Sequence, residues 1–167
     1  MLILQVFKPT VMIKFYAEDC NFKLKHKRLV GRWLKSVAAS EDRKPGAINY
    51  IFCSDPYLLD INKQYLGHDY YTDIITFDNS EDFSRVYTDK NVSADIYISV
   101  DTVRANGQEY GEGFNKELHR VIVHGLLHLI GYDDHTDAQK KDMRAAENRA
   151  LKVLETMAAE GKIRLNW

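Results

Sequence analysis

The chain has 167 residues, 45% hydrophobic and 28% charged, and 23 Lys and Arg against 24 Asp and Glu leave a net charge of −1. That length suits one domain spanning 1–167 with a sizeable core, and the composition is that of a globular protein. Balanced charge argues against a uniformly basic nucleic-acid binder, two cysteines argue against a disulfide framework, and no run reaches the roughly 20 apolar residues of a membrane span.

Taken in chain order, Met1–Phe7 is apolar but too short for a signal peptide, and Lys8 interrupts it. With two unpaired cysteines, Cys20 and Cys53, this predicts a cytoplasmic protein. Val11–Tyr16 alternates as a half-buried strand. Residues 22–39 place Leu29, Val30, Trp33, Leu34 and Val37 at helical spacing. Pro45-Gly46 predicts a turn before a strand over Ala47–Cys53, in which Cys53 is a small core residue. Ser54 or Asp55 is placed to cap a short helix opened by Pro56 and running to about Tyr65. Strands follow over Asp73–Phe77 and Asp95–Val100, separated by a polar loop over 78–93. Asp101 is placed to cap a helix to about Tyr110, Gly111 and Gly113 break the chain, and Asn115 starts the next helix. Thr136 with Gln139 forms a capping-box pattern for a last helix to about Ala159. This order of elements predicts an α/β (α+β) fold: a small mixed sheet flanked by helices.

Chemistry concentrates in His124-Gly-Leu-Leu-His128-Leu-Ile-Gly131-Tyr-Asp-Asp134, followed by His135. Two histidines four apart emerge from one helical face, the spacing at which two imidazoles can hold one zinc ion. Such a pair alone is compatible with two core histidines bonded to carbonyls. Here, however, Val121, Ile122, Val123, Leu126, Leu127, Leu129 and Ile130 predict a buried helix, on which both rings need partners. Gly131 stops the helix. Ten residues after His124, at the offset of the third metzincin ligand, stands Asp134, and His135 is the alternative third ligand. Gly125 occupies the place where metalloproteases carry their glutamate base, so ordinary zinc-peptidase chemistry is not supported. A metal that acidifies water could still serve phosphodiester hydrolysis.

These residues resemble the signature of the YbeY endoribonuclease family, His-Gly-x-Leu-His-Leu-x-Gly-Tyr-Asp-His. Ile61-Asn62-x-x-Tyr65 with Thr72-Asp73-Ile74-Ile75-Thr76-Phe77, Ala94-Asp95-Ile96, Glu117-Leu-x-Arg120 before His124, and Met143 extend the likeness from about residue 45 to about 150. The resemblance implies a single-strand-specific, metal-dependent endoribonuclease in 16S rRNA 3′-end maturation and ribosome quality control. It implies ribosomal RNA and the small ribosomal subunit as partners, and it adds no organic cofactor. With the spacing, it implies one Zn²⁺ on His124, His128 and Asp134, with His124, His128 and Arg120 in catalysis. The chain departs from the pattern at Asp134, where the family has histidine, and at Leu66, where it has an arginine suited to phosphate. His68, Lys63 or Arg120 are the cations that could replace that arginine. The rival readings are a peptidase-like zinc metallohydrolase and a non-catalytic assembly factor with a structural metal closed by four ligands.

Other residues admit two readings. Lys23, Lys25, Lys27, Arg28, Arg32, Lys35, Arg43 and Lys44 make 23–44 strongly basic, either as an RNA-backbone stripe or as a solvated helix face. Asp73 and Asp95 are polar groups near the metal or strand-end carboxylates, the latter favoured for Asp95. Tyr132 is a base-stacking ring or core. Arg120 binds phosphate or pairs with Glu112 or Glu117. His119 is expected to be exposed and inert, and Glu147 and Arg149 are expected on the charged face of the last helix.

Overall fold

The computed structural model describes residues 12–79 and 91–167. Met1–Phe7 and most of the polar loop expected over 78–93 lie outside them.

Four strands form one sheet in the order β1-β2-β4-β3: β1 Met12–Ala17, β2 Lys44–Cys53, β3 Ile74–Asp78 and β4 Asn91–Ser99. β1 and β4 run parallel to β2, while β3 is antiparallel to β4. The alternation of side chains along a strand sorts them between the two faces. Ile48, Tyr50 and Phe52 of β2 and Val92, Ala94, Ile96 and Ile98 of β4 join the main core. Cys53 and Ile75 pack on the other side with Leu58 of a short helix, α2, Asp55–Ile61. The expected α/β arrangement is therefore observed, with one mixed sheet.

The main core is roofed by α1 Lys27–Ser40, α4 Phe114–Leu129 and α5 Asp137–Glu160. Trp33 of α1 is fully buried and its Nε1 donates to the Ala150 carbonyl of α5 at 2.7 Å. Tyr50 is likewise buried with its hydroxyl donating to the Ile122 carbonyl at 2.9 Å. Each large ring thus enters the core with its polar atom satisfied. Truncating Trp33 to alanine would cost about 3–5 kcal/mol.

The boundaries differ from expectation where side chains beyond the local window decide them. Helix α1 starts at Lys27, not 22, after His26 in a left-handed conformation (φ 54). Pro45-Gly46 is not a turn but part of β2, at a register shift opposite β4. Of the two proposed caps for α2, Ser54 is used, accepting from Tyr57 N–H at 3.3 Å. Helix α3, Val100–Glu109, is capped by Ser99 rather than Asp101. The Asp101 carboxylate instead accepts from the Asp55 N–H at 3.0 Å, serving the first turn of the neighbouring helix. Gly113 rather than Asn115 precedes α4, and the Thr136–Gln139 capping box on α5 forms as expected. A π-helical turn, Asn62–Leu66, follows α2 directly. Among the described residues no helix is long and apolar enough to cross a membrane.

Candidate metal centre

Helix α4 ends in a Schellman motif. Gly131, at φ 110, lets its own N–H reach the His128 carbonyl and the Tyr132 N–H reach that of Leu127. The reversal carries Asp134 back over the histidine face. His124 Nε2 and His128 Nε2 lie 3.0 Å apart, and Asp134 Oδ2 lies 3.6 and 3.5 Å from them. Tetrahedral zinc with bonds of 2.0–2.1 Å requires ligand–ligand edges of about 3.3 Å, so the triangle has the right size. His135 stands outside it. Its side chain is exposed, and its backbone N–H is held by Gln139. It does not supply the fourth ligand that a closed structural site would need.

The outer nitrogens explain why the inner ones converge. His128 Nδ1 lies 2.9 Å from the Tyr132 carbonyl, and His124 Nδ1 lies 2.8 Å from Glu147 Oε1. Both neighbours only accept, so each Nδ1 carries the hydrogen and each Nε2 presents a lone pair. Two lone pairs at 3.0 Å repel unless a cation or a proton sits between them. Burial disfavours charge on His124, yet the Glu147 hydrogen bond and the charges of Glu147, Asp73 and Asp134 hold its pKa above the usual imidazole value. The donor set fits a divalent ion of the zinc type.

Glu147 corrects the sequence expectation of a charged outer face. It is buried, one oxygen on His124 and the other 3.3 Å from Arg120. Its signal was present in the sequence: it interrupts the apolar stripe Met143, Ala146, Ala150, Leu151, Leu154 at a core-facing position. Arg120 is also buried, bonded to Glu112 and Asn148 as well. It braces Glu147 from behind and does not line the cleft. His119 is not exposed as expected. It is 7% accessible, its Nδ1 lies 2.7 Å from the Asn115 carbonyl, and burial pushes its pKa down to about 4. Arg149 does reach the surface and contacts the Tyr132 hydroxyl at 3.4 Å. That hydroxyl donates to Glu41 at 2.8 Å, and the Tyr132 ring packs on the core.

The triangle opens into a cleft of about 530 Å³ walled by Leu66, His68, Tyr70, Asp73 and Thr76. The π-helical turn swings Leu66 into it, and the buried Asn62 amide donates to the Tyr70 carbonyl, holding the wall in place. His68 and Tyr70 stack with centroids 5.1 Å apart. Of the three cations considered for the missing arginine, only His68 lines the cleft. Lys63 pairs with Asp69 at 3.0 Å, and Arg120 is buried. Asp73 is a cleft residue whose carboxyl is pushed up by burial, against the lowering charge of His124. Asp95 is not; it accepts from Asn49 and Asn79 on the other face.

Gly125 has a packing reason. A Cβ there would lie 3.0 Å from Ile74 Cδ1 and 3.2 Å from Ile96 Cγ2. The position after the first histidine is pressed against the sheet, so a side chain where zinc peptidases keep their base would have to displace Ile74 and Ile96.

Fold and site together define a small α/β protein with an open-sided His-His-Asp group that could hold a metal ion. The family model for endoribonuclease YbeY matches residues 12–155. Endoribonuclease YbeY of Parabacteroides distasonis is 48% identical over 85% of this chain and 95% of the relative. That of Phocaeicola vulgatus is 45% identical over 86% and 99%. The solution structure of TM1509 from Thermotoga maritima superposes with a TM-score of 0.59 at 28% identity, covering 90% of this chain and 92% of that one. The chain belongs to the YbeY endoribonuclease family.

Proposed function

We propose that the protein is a metal-dependent endoribonuclease that cleaves single-stranded ribosomal RNA, acting in the cytoplasm on the 3′ end of 16S rRNA during small-subunit maturation and quality control. The observation that carries the metal requirement is the His124, His128, Asp134 triangle, sized for one ion and open on one side. The RNA substrate and the ribosomal setting rest on family membership.

These three residues would hold Zn²⁺, which supplies Lewis-acid polarisation of a phosphoryl oxygen and a lowered pKa for water. The protein supplies the rest. Glu147 fixes the His124 ring and its tautomer, and the Tyr132 carbonyl does the same for His128. Asp73, with its raised carboxyl pKa beside His124, is the group placed to take a proton from the attacking water. His68 faces the cleft where a phosphate would lie. Arg120 acts as a positioning residue through Glu147. Position 125 offers no base, since it is glycine packed against Ile74 and Ile96.

The test is cleavage of a single-stranded ribosomal RNA fragment by the wild type, the chelator-treated protein and His128→Ala. Cleavage by the metal-loaded wild type alone is expected. Activity that survives both treatments would overturn the metal mechanism, and an inactive metal-loaded wild type would overturn the nuclease reading.

A further inference from the structure

The outer face of α1 has no part in the metal centre. It forms a groove of about 720 Å³ with β1, bordered by Lys14, Lys27, Arg28, Arg32 and Lys35 together with Tyr16. All six side chains are exposed. Among the described residues none of the five cations forms an ion pair. The chain as a whole is nearly neutral, yet 23–44 holds eight Lys and Arg against Glu41 and Asp42.

We propose that this groove is a second RNA-binding face, which takes the phosphate backbone of a single-stranded flank of the substrate. The claim rests on the endoribonuclease reading and adds a surface to it. A solvated helix face mixes signs, which supports the helix through i,i+4 pairs. Helix α1 contains no acidic residue, and two of its cations, Lys27 and Arg28, sit in the first turn. There the helix dipole disfavours positive charge. Folding therefore does not explain them, whereas a polyanionic ligand does.

Geometry selects the ligand. Arg28, Arg32 and Lys35 climb one side of α1 over about 10 Å, a track for a backbone. The exposed Tyr16 ring beside them offers a base a stacking surface, which a duplex cannot use. The C-terminal end of α1 is tied to the loop of the metal centre, although β1 lies at the sheet edge opposite β3. Glu41, at that end of α1, accepts from the Tyr132 hydroxyl, two residues before Asp134. Among the described residues no Lys or Arg lines the cleft, so backbone grip is needed elsewhere.

The test measures binding separately from cleavage, by fluorescence anisotropy with chelator present and a labelled single strand of about 16 nucleotides. The triple variant Arg28→Gln, Arg32→Gln, Lys35→Gln should bind roughly tenfold more weakly at low salt. Its slope of log affinity against log salt should fall by about 2, three contacts at roughly 0.7 each. Tyr16→Ala should weaken the single strand and leave a duplex unaffected. Zinc affinity, and cleavage of a strand of about 4 nucleotides, too short to reach α1, should be unchanged. A control with Lys140→Gln, Lys141→Gln and Lys152→Gln removes the same charge from α5. The groove is overturned if the first triple variant binds with wild-type affinity and slope, if the control loses as much, or if the wild type does not bind. Wild-type binding that the triple variant loses, without any cleavage by the metal-loaded protein, would keep the groove and overturn the nuclease reading.

Discussion

His124 and Glu147 meet at 2.8 Å although they lie 23 positions apart in sequence, which makes α5 part of the candidate metal centre without offering a ligand atom to it. A carboxylate behind a ligating histidine raises its basicity and fixes its ring, and its loss typically costs 10–100-fold in metal affinity. Glu147→Gln should therefore bind zinc on the order of 10-fold or more weakly in competition with a chromogenic chelator, with an unchanged circular dichroism spectrum. Wild-type affinity in this variant would refute the role.

The ligand set predicts a clear split between neighbours. Asp134→Ala and His128→Ala should each lose stoichiometric metal, measured by atomic emission after dialysis. His135→Ala should retain it, because its side chain lies outside the triangle. Loss of metal in His135→Ala would show that the loop rearranges on binding.

Gly125 predicts that protease chemistry cannot be grafted here. Gly125→Ala gains about 1 kcal/mol of helix propensity but meets Ile74 and Ile96 at 3.0–3.3 Å, and overpacking of that kind costs about 1–3 kcal/mol. A small net destabilisation is expected. Gly125→Glu adds a buried, unpaired carboxylate and should lower the melting temperature by on the order of 10 °C. A glutamate variant that melts like the wild type would contradict the close approach of α4 to the sheet.

His119 gives stability a pH dependence of known sign. Its folded pKa of about 4 lies below the 6.5 of the unfolded chain. The unfolded state therefore binds the proton first as pH falls. The stability tied to neutral His119 is fully present above about 6.5 and is lost progressively down to about 4, on the order of 3 kcal/mol in total. In urea titrations across that window, His119→Gln should lose less stability than the wild type. Equal losses would mean that His119 does not carry the effect.

What the sequence disclosed follows the range of the interactions. The histidine pair, the Gly131 reversal and Asp134 lie within eleven residues, so helical spacing and one glycine were enough to read them. The sheet and its helices were legible from alternation and from the Trp33 stripe. Glu147 was not, because its partner lies 23 residues away, although a charge inside an apolar stripe was a readable anomaly. The pairing of Arg120 with Glu112 is one of its two readings and is observed, whereas its contact with Glu147 and the burial of His119 under Trp167 depend on partners far along the chain. The π-helical turn that brings Leu66 into the cleft has no local spacing signal at all.

Asp134 also sets the electrical character of the loaded cleft. A divalent ion held by two neutral imidazoles and one carboxylate leaves a net charge of about +1, where three imidazoles would leave about +2. Such a centre holds its anionic product less tightly and draws a polyanion less from a distance. Capture and turnover are then set by different parts of the molecule, and ionic strength should act mainly on capture.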